Sequence, residues 1–166
     1  MTEHRLPDYL VMDLKIIFVG TAAGRTSAQR GHYYAGPGNR FWNTLHEIGL
    51  TPRKFRPEDD RNLLALGIGL TDISKLGCGM DHHIDPHQFD PTHFEANLKR
   101  FRPRAVGFNG KKAASIWLGR NGKRLPYGRV ANLEQTLPAV FVLPSTSGAA
   151  RRHWDIGPWR EMAQWI

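Results

Sequence analysis

The sequence predicts an α/β protein, a three-layer α/β/α sandwich with a central, mainly parallel sheet of about four strands. Apolar runs of strand length alternate along the chain with segments in which apolar residues recur at helical spacing. Parallel neighbours need crossover connections, and the helical segments supply them on both faces of the sheet. The 166 residues suffice for one sizeable core, so we expect a single domain spanning residues 1–166.

Each predicted element rests on a local pattern. Four mainly apolar runs predict strands at residues 14–19, 67–73, 104–109 and 139–143, and the last of them, AVFVL, contains no polar residue. Apolar residues at helical spacing predict helices at residues 40–49, 59–66, 91–101, 111–118 and 158–166. Glycines mark several of the boundaries, at Gly49, Gly110 and Gly119.

The charge and the cysteine content restrict the class of protein. Lys and Arg number 23 against 15 Asp and Glu, a net charge of +8 that favours a polyanionic partner, nucleic acid before an incidentally basic enzyme. A single cysteine, Cys78, excludes an internal disulfide and a four-cysteine zinc site. No apolar run approaches the roughly 20 residues that cross a bilayer. We therefore expect no membrane association and a cytoplasmic location, in the bacterial cytosol or nucleoid.

Unusual residues follow three of the predicted strands. The first strand runs into the loop Gly20-Thr21-Ala22-Ala23-Gly24, the third into FNGK at residues 108–111, and the fourth into LPSTSGAARR at residues 143–152. A loop rich in glycine and aromatic residues, GHYYAGPGNRFW at residues 31–42, follows the first. The carboxyl ends of parallel strands open on one edge of a sheet, so these loops predict a shared ligand site there.

In this order, the motifs resemble the uracil-DNA glycosylase superfamily, closest to its mismatch-specific uracil/thymine-DNA glycosylase branch. The resemblance covers residues 14–152, and PGNRFW together with FNGK is its most specific part. It implies a monofunctional DNA N-glycosylase of base excision repair that flips uracil, or another deaminated base, out of DNA and hydrolyses its N-glycosidic bond. The expected substrate is single- or double-stranded DNA, the product an abasic site, and the enzyme a monomer without a cofactor.

The resemblance also implies a base-binding set. Gly20, Thr21 and Ala22 would form a backbone floor under the flipped base, because N–H donors aimed at its carbonyl groups stabilise the departing anion. Tyr34 matches the family's stacking aromatic, although a tyrosine here can simply pack the loop onto the sheet. Asn109 is expected either to hold the loops together or to touch the edge of the base.

The expected catalytic residues depart from the family's usual pattern. The family's first motif usually carries a water-positioning Asn or Asp where this chain has Ala22, so another residue must replace it. Asp72, at the end of the second strand, is the first candidate, and a capping or turn role is the alternative. Ser27 matches a family position near the base or sugar, although a loop hydroxyl is more often a turn former.

The remaining expected contacts are with DNA. Ser145, Thr146 and Ser147 supply hydroxyls and backbone donors for phosphate oxygens. Gly148, Ala149 and Ala150 stand where relatives insert a wedge, and since alanine is a poor plug, we expect similar cleavage of uracil in single strands, opposite adenine and opposite guanine. Arg151 or Arg152 can fill the gap instead. Arg40 and Lys111 are expected to contact phosphate or to brace the loops.

Two alternatives remain open. Residues 81–93 contain Asp81, His82, His83, Asp85, His87, Asp90 and His93, which are metal-ligand types, but their spacing matches no defined site and we expect no metal. The lack of a polar residue at Ala22 also permits a non-catalytic nucleic-acid-binding relative of the family.

Overall fold

The computed structural model describes residues 6–75 and 89–166. Its sheet has the strand order β2-β1-β3-β5-β4. The strands are β1 (Ile16–Gly20), β2 (Ile68–Asp72), β3 (Ala105–Asn109), β4 (Gly128–Arg129) and β5 (Ala139–Leu143). All neighbours are parallel except β4, which pairs antiparallel with β5. The α/β prediction is confirmed, with one strand more than the four expected, because the two residues of β4 are too few to show a pattern.

Within the described residues, five α-helices flank the sheet. They are α1 (Arg25–Arg30), α2 (Phe41–Glu47), α3 (Pro91–Phe101), α4 (Lys111–Leu118) and α5 (Gly157–Trp165). Helix α1 was not expected, because its sequence, RTSAQR, is polar and only Ser27 is fully buried. The segment expected as a helix at residues 59–66 is a 3₁₀ helix over Pro57–Leu66, and further 3₁₀ helices cover Gly122–Arg124 and Gly148–His153.

The core consists of two apolar layers, one on each face of the sheet. Ile16 and Phe18 of β1 point into the layer formed with α2 and α5. Ile17 and Val19 point into the other, formed with α3 and α4. Alternate residues of a strand face opposite sides, so a continuous apolar run belongs in a central strand covered by helices on both faces.

The strand order determines where a ligand can bind. The chain passes from β1 to β2 on one side and then to β3 on the other side of β1. The crossovers diverge at this point and leave a crevice beyond the carboxyl ends of the strands, which is where open α/β sheets bind ligands. The glycine loop after β1 lies at this reversal.

None of the helices described is long and apolar enough to cross a membrane.

Candidate active site

A cavity of about 690 Å³ opens at the carboxyl edge of β1, β2 and β3. Its volume is in the range of small-ligand sites. Most of the residues predicted from the sequence line it: Gly20, Thr21, Ala22, Ser27, Tyr34, Asp72, Asn109, Lys111, Ser145, Thr146, Ser147, Gly148, Ala149 and Ala150. Arg40, Arg151 and Arg152 are not part of this lining. The topology thus brings together loops that are distant in the sequence.

Asp72 and Gly20 are direct partners across the β1–β2 ladder. The Asp72 side chain lies over the glycine, and a Cβ built on Gly20 would collide with Asp72 Oδ1 and lie 3.2 Å from the Tyr34 hydroxyl. Only glycine fits at position 20, because the Asp72 carboxylate and the Tyr34 phenol occupy the space that a side chain would need. Asp72 itself is 5% exposed.

Burial raises the pKa of the Asp72 carboxyl to about 6, with the Lys75 ammonium opposing the shift and the Asp8 carboxylate adding to it. Residues 6–75 and 89–166 donate no hydrogen bond to this carboxylate. A buried carboxyl with a pKa near neutrality is typical of catalytic acids and bases, because it changes protonation state close to the working pH.

Lys75, which is buried, and Asp8, which is half-buried, form an ion pair close to Asp72. The Lys75 ammonium lies 2.8 Å from Asp8 Oδ1 and donates a 3.0 Å hydrogen bond to the Tyr33 hydroxyl. Thr71 donates to the same Asp8 oxygen at 2.7 Å. This pair was not predicted from the sequence. Lys75 follows Asp72 by three residues, but nothing in the local sequence connects it with Asp8.

Tyr34 has a strained backbone that its neighbours hold in place. Its φ of 53° is left-handed, a conformation that costs a non-glycine residue about 1–3 kcal/mol and that clusters at functional sites. On one side, the Tyr33 N–H donates to Asp60 and the Trp42 indole donates to the Tyr33 carbonyl. On the other side, the Ala35 N–H donates to Ser27 Oγ.

The Tyr34 ring lies 4.0 Å from the Phe41 ring, measured between centroids, and it borders the cavity. The Tyr34 hydroxyl oxygen is buried and makes no hydrogen bond with the residues that the structure describes. Burial, and then the charge of Asp72, raise the pKa of this phenol well above its usual value, so the group is a neutral O–H donor.

Ser27 and Asn109 both reach the cavity and brace loops. Ser27 is buried on α1, where its oxygen accepts from Ala35; its catalytic role stays a prediction. Asn109 donates from its amide nitrogen to Thr146 Oγ1 at 2.9 Å and accepts from the Thr146 N–H at 3.0 Å. Thr146 is 1% exposed, so it connects β3 with the loop after β5 rather than offering that N–H to phosphate as expected.

The basic residues differ in their surroundings. Arg40 is half-buried, its guanidinium lies 5.4 Å from the Trp154 ring, and its Nη1 has no hydrogen-bond partner within the described ranges. Its backbone N–H donates to the Thr146 carbonyl, and whether its side chain contacts phosphate or braces the loops stays a prediction. Lys111 lies on the cavity, with its ammonium 4.3 Å from the Tyr127 ring. Arg151 and Arg152 are exposed at the outer surface.

The candidate metal ligands fall mainly outside the described residues, which exclude Asp81, His82, His83, Asp85 and His87. Asp90 and His93 are described, and the Asp90 carboxylate accepts from the His93 N–H as the N-cap of α3. In residues 6–75 and 89–166, no three His, Cys, Asp or Glu side chains are grouped so that they could hold a metal ion.

The comparison with protein families decides the assignment. A family model described as the uracil DNA glycosylase superfamily matches residues 7–165, which includes every loop around the cavity. The chain belongs to this superfamily. The family implies, in general, hydrolysis of N-glycosidic bonds in DNA, and it makes DNA the partner expected of a chain with a net charge of +8.

A solved structure agrees with the superfamily fold. The chain is similar to a candidate uracil DNA glycosylase from Methanosarcina acetivorans, determined by solution NMR. The two share 25% sequence identity over 99% of this chain and 93% of the other, with a TM-score of 0.61. A uracil DNA glycosylase superfamily member needs a pocket for a base turned out of the helix, since the glycosidic bond is shielded inside a duplex.

Proposed function

We propose that this protein is a monofunctional glycosylase that removes uracil from DNA and leaves an abasic site, with Asp72 as the group that holds the hydrolytic water. The observation that carries the proposal is the Asp72 carboxylate, buried at the cavity on the glycine that ends β1 and carrying a pKa of about 6. Ala22 supplies no polar side chain, and no other carboxylate is among the residues found lining the cavity.

The chemistry follows from how charge develops. As the C1′–N1 bond of the nucleotide breaks, its electron pair leaves with the base and positive charge builds on the sugar. The Asp72 carboxylate stabilises that charge, and it accepts a proton from the water whose oxygen bonds to C1′. The base, stacked on Tyr34, departs as an anion near the backbone of Gly20, Thr21 and Ala22 and takes up a proton from solvent.

The substrate within the superfamily is part of the same proposal. The PGNRFW and FNGK segments resemble those of the mismatch-specific uracil/thymine-DNA glycosylase branch and favour it. Tyr34 forms one side of the cavity, and a tyrosine ring offers a stacking surface to any pyrimidine. We therefore propose uracil as the base, a monomer as the active form, and activity that persists in EDTA because no step requires a metal.

An oligonucleotide with one uracil tests the proposal. The purified protein is incubated with it and then treated with alkali, which breaks the strand only where the base has been lost. We expect scission at the uracil for the parent. For Asp72→Asn we expect a loss of at least about a hundredfold, the lower end of what acid–base groups contribute. Asp13→Asn is the matched control, because Asp13 is exposed and precedes β1 at the opposite edge of the sheet.

The folded state of Asp72→Asn is checked by its free energy of unfolding. The pKa of Asp72 in the folded protein is above its unfolded value, so stability is lost as pH rises through about 6. The amide avoids this loss, and the variant should be at least as stable as the parent at pH 8. Activity of Asp72→Asn within about twofold of the parent would remove Asp72 from the mechanism.

The runner-up function is a non-catalytic nucleic-acid-binding relative. Binding of the oligonucleotide by the parent without any alkali-sensitive site would favour that function over the glycosylase.

A further inference from the structure

The Tyr34 hydroxyl has no role in a mechanism in which the tyrosine ring only stacks on the base. A phenylalanine would provide the same ring face, yet the chain carries a phenol whose oxygen is buried without a hydrogen bond to any described residue. A buried polar group without a hydrogen-bond partner costs about 1–3 kcal/mol. Its presence at a site therefore suggests that it gains a partner when the site is occupied.

The residues around the phenol restrict which group can accept its hydrogen bond. The hydroxyl and Asp72 Oδ1 both crowd the space above Gly20, which is why no Cβ fits there. The Asn109 amide nitrogen acts on the phenol as a donor does and lowers its pKa, whereas the Asn109 amide oxygen already accepts from the Thr146 N–H, so Asn109 is not the acceptor of the phenol proton. The Asp72 carboxylate is the acceptor at hand that has no donor of its own among the described residues.

We propose that Tyr34 donates a hydrogen bond to the Asp72 carboxylate when a base occupies the cavity, so that one side chain both stacks on the base and positions the water-holding group. The inference rests on the proposed glycosylase function. It makes Tyr34 a positioning residue as well as a binding residue. The hydroxyl and Asp72 Oδ1 border the same space above Gly20, while Phe41 packs against the ring and hydrogen bonds hold the backbone on both sides of Tyr34.

The contact has a consequence that stacking alone lacks. A hydrogen bond to an ionised carboxylate favours the ionised form and lowers its pKa. The other described groups that act on Asp72 are Lys75, which lowers its pKa, and Asp8, which raises it; neither belongs to the loop that carries Tyr34. Tyr33, the remaining phenol nearby, donates to the Pro7 carbonyl and accepts from Lys75.

The test compares Tyr34→Phe with Tyr34→Leu. The phenylalanine keeps the ring, so we expect KM within about twofold of the parent. We expect kcat to fall roughly tenfold or more, as for the loss of one hydrogen bond to a charged group. The acid limb of its pH–kcat profile should move to higher pH. The leucine also removes the stacking face, so KM should rise as well.

A second measurement separates this inference from the proposed function. The Asp72 carboxyl is titrated by carbon-13 NMR in complex with an oligonucleotide carrying 2′-fluoro-2′-deoxyuridine, whose fluorine disfavours positive charge on the sugar and slows cleavage. A higher Asp72 pKa in Tyr34→Phe than in the parent supports the contact, even if the parent shows no turnover. Equal pKa values, or an unchanged kcat and pH profile in an active parent, would overturn it.

Discussion

At the scale of single residues, the site depends on the balance of charges around one carboxyl group. Burial holds the pKa of Asp72 near 6, the Lys75 ammonium restrains the rise, and the Asp8 carboxylate adds to it. Because Lys75 and Asp8 are paired at 2.8 Å, each partly cancels the effect of the other on Asp72. Burial therefore sets the pKa of Asp72, and the ion pair adjusts how much of the Asp72 population is ionised at neutral pH.

The two members of this pair should shift the activity profile in opposite directions. Asp72 must be ionised to accept a proton, so activity should fall as pH decreases through about 6. Lys75→Met removes the cation and should move the acid limb to higher pH. Asp8→Asn removes the anion and should move it to lower pH. The measurement is kcat/KM for uracil removal between pH 4.5 and pH 9.

The opposite directions make the comparison its own control. Both variants break the same ion pair, and each leaves one charge unpaired, so both should lose stability. A profile that moved in the same direction for both variants would reflect general disruption and would contradict the electrostatic account.

At the scale of elements, the loop that carries Tyr34 is held by the 3₁₀ helix Pro57–Leu66. Asp60 of this helix is 1% exposed, and its Oδ2 accepts from the Tyr33 N–H at 3.0 Å and lies 3.3 Å from His32 Nδ1. Its Oδ1 accepts from the Arg61 N–H. One carboxylate thus fixes the backbone immediately before the strained Tyr34.

Replacing Asp60 should damage both stability and turnover. Asp60→Ala leaves the Tyr33 N–H unsatisfied, and we expect the free energy of unfolding to fall by about 2–4 kcal/mol, the range for lost hydrogen bonds to a buried charge. We expect kcat to fall too, since Tyr34 then samples other backbone conformations. Urea denaturation and single-turnover cleavage measure the two effects.

Asp59→Ala is the matched control on the same helix. Asp59 bonds to Arg53 and to the Arg56 N–H near the surface, away from the aromatic loop. It should lose some stability and keep the parent kcat. A kcat for Asp60→Ala equal to that of the control would show that the loop does not need this anchor.

The elements also show what could be predicted from the sequence. Long apolar runs and helical spacing were enough for β1, β3, β5, α3 and α4, and the shared edge of parallel strands then located the cavity. Helix α1 and strand β4 were missed, since one is polar and the other has two residues. The Asn109–Thr146 and Lys75–Asp8 contacts join distant segments through side chains, and periodicity carries no information about such pairs.

At the scale of the whole molecule, we expect this protein, with its net charge of +8, to bind DNA at the open edge of its sheet. The segment expected to enter the helix is the 3₁₀ helix Gly148–His153, capped by Ser147. A Cβ on Gly148 would lie 3.4 Å from the Gly38 carbonyl oxygen, so this segment packs closely on the aromatic loop. Ala149 is exposed there and Ala150 is half-buried.

These small side chains predict weak dependence on the base opposite uracil. A wedge that fills the gap left by the flipped base also contacts the unpaired base on the opposite strand. The methyl group of an alanine is too short to fill the gap or to contact that base. Recognition should then depend on phosphate contacts, which carry no sequence information. We expect similar rates for uracil in a single strand, opposite adenine and opposite guanine, compared under single-turnover conditions with enzyme in excess. A strong preference for guanine would contradict this account.

A larger side chain at the same place should change the pattern in a defined direction. Ala149→Leu adds an apolar plug at an exposed position, where it costs the fold little. It should increase cleavage in duplexes relative to single strands, because the plug replaces stacking that is lost when the base leaves the helix. The variant Arg151→Ala tests whether the Arg151 side chain already fills the gap left by the flipped base. Arg151 is exposed and its Nε donates to the Gly148 carbonyl, so loss of duplex cleavage alone in that variant would make Arg151 the plug.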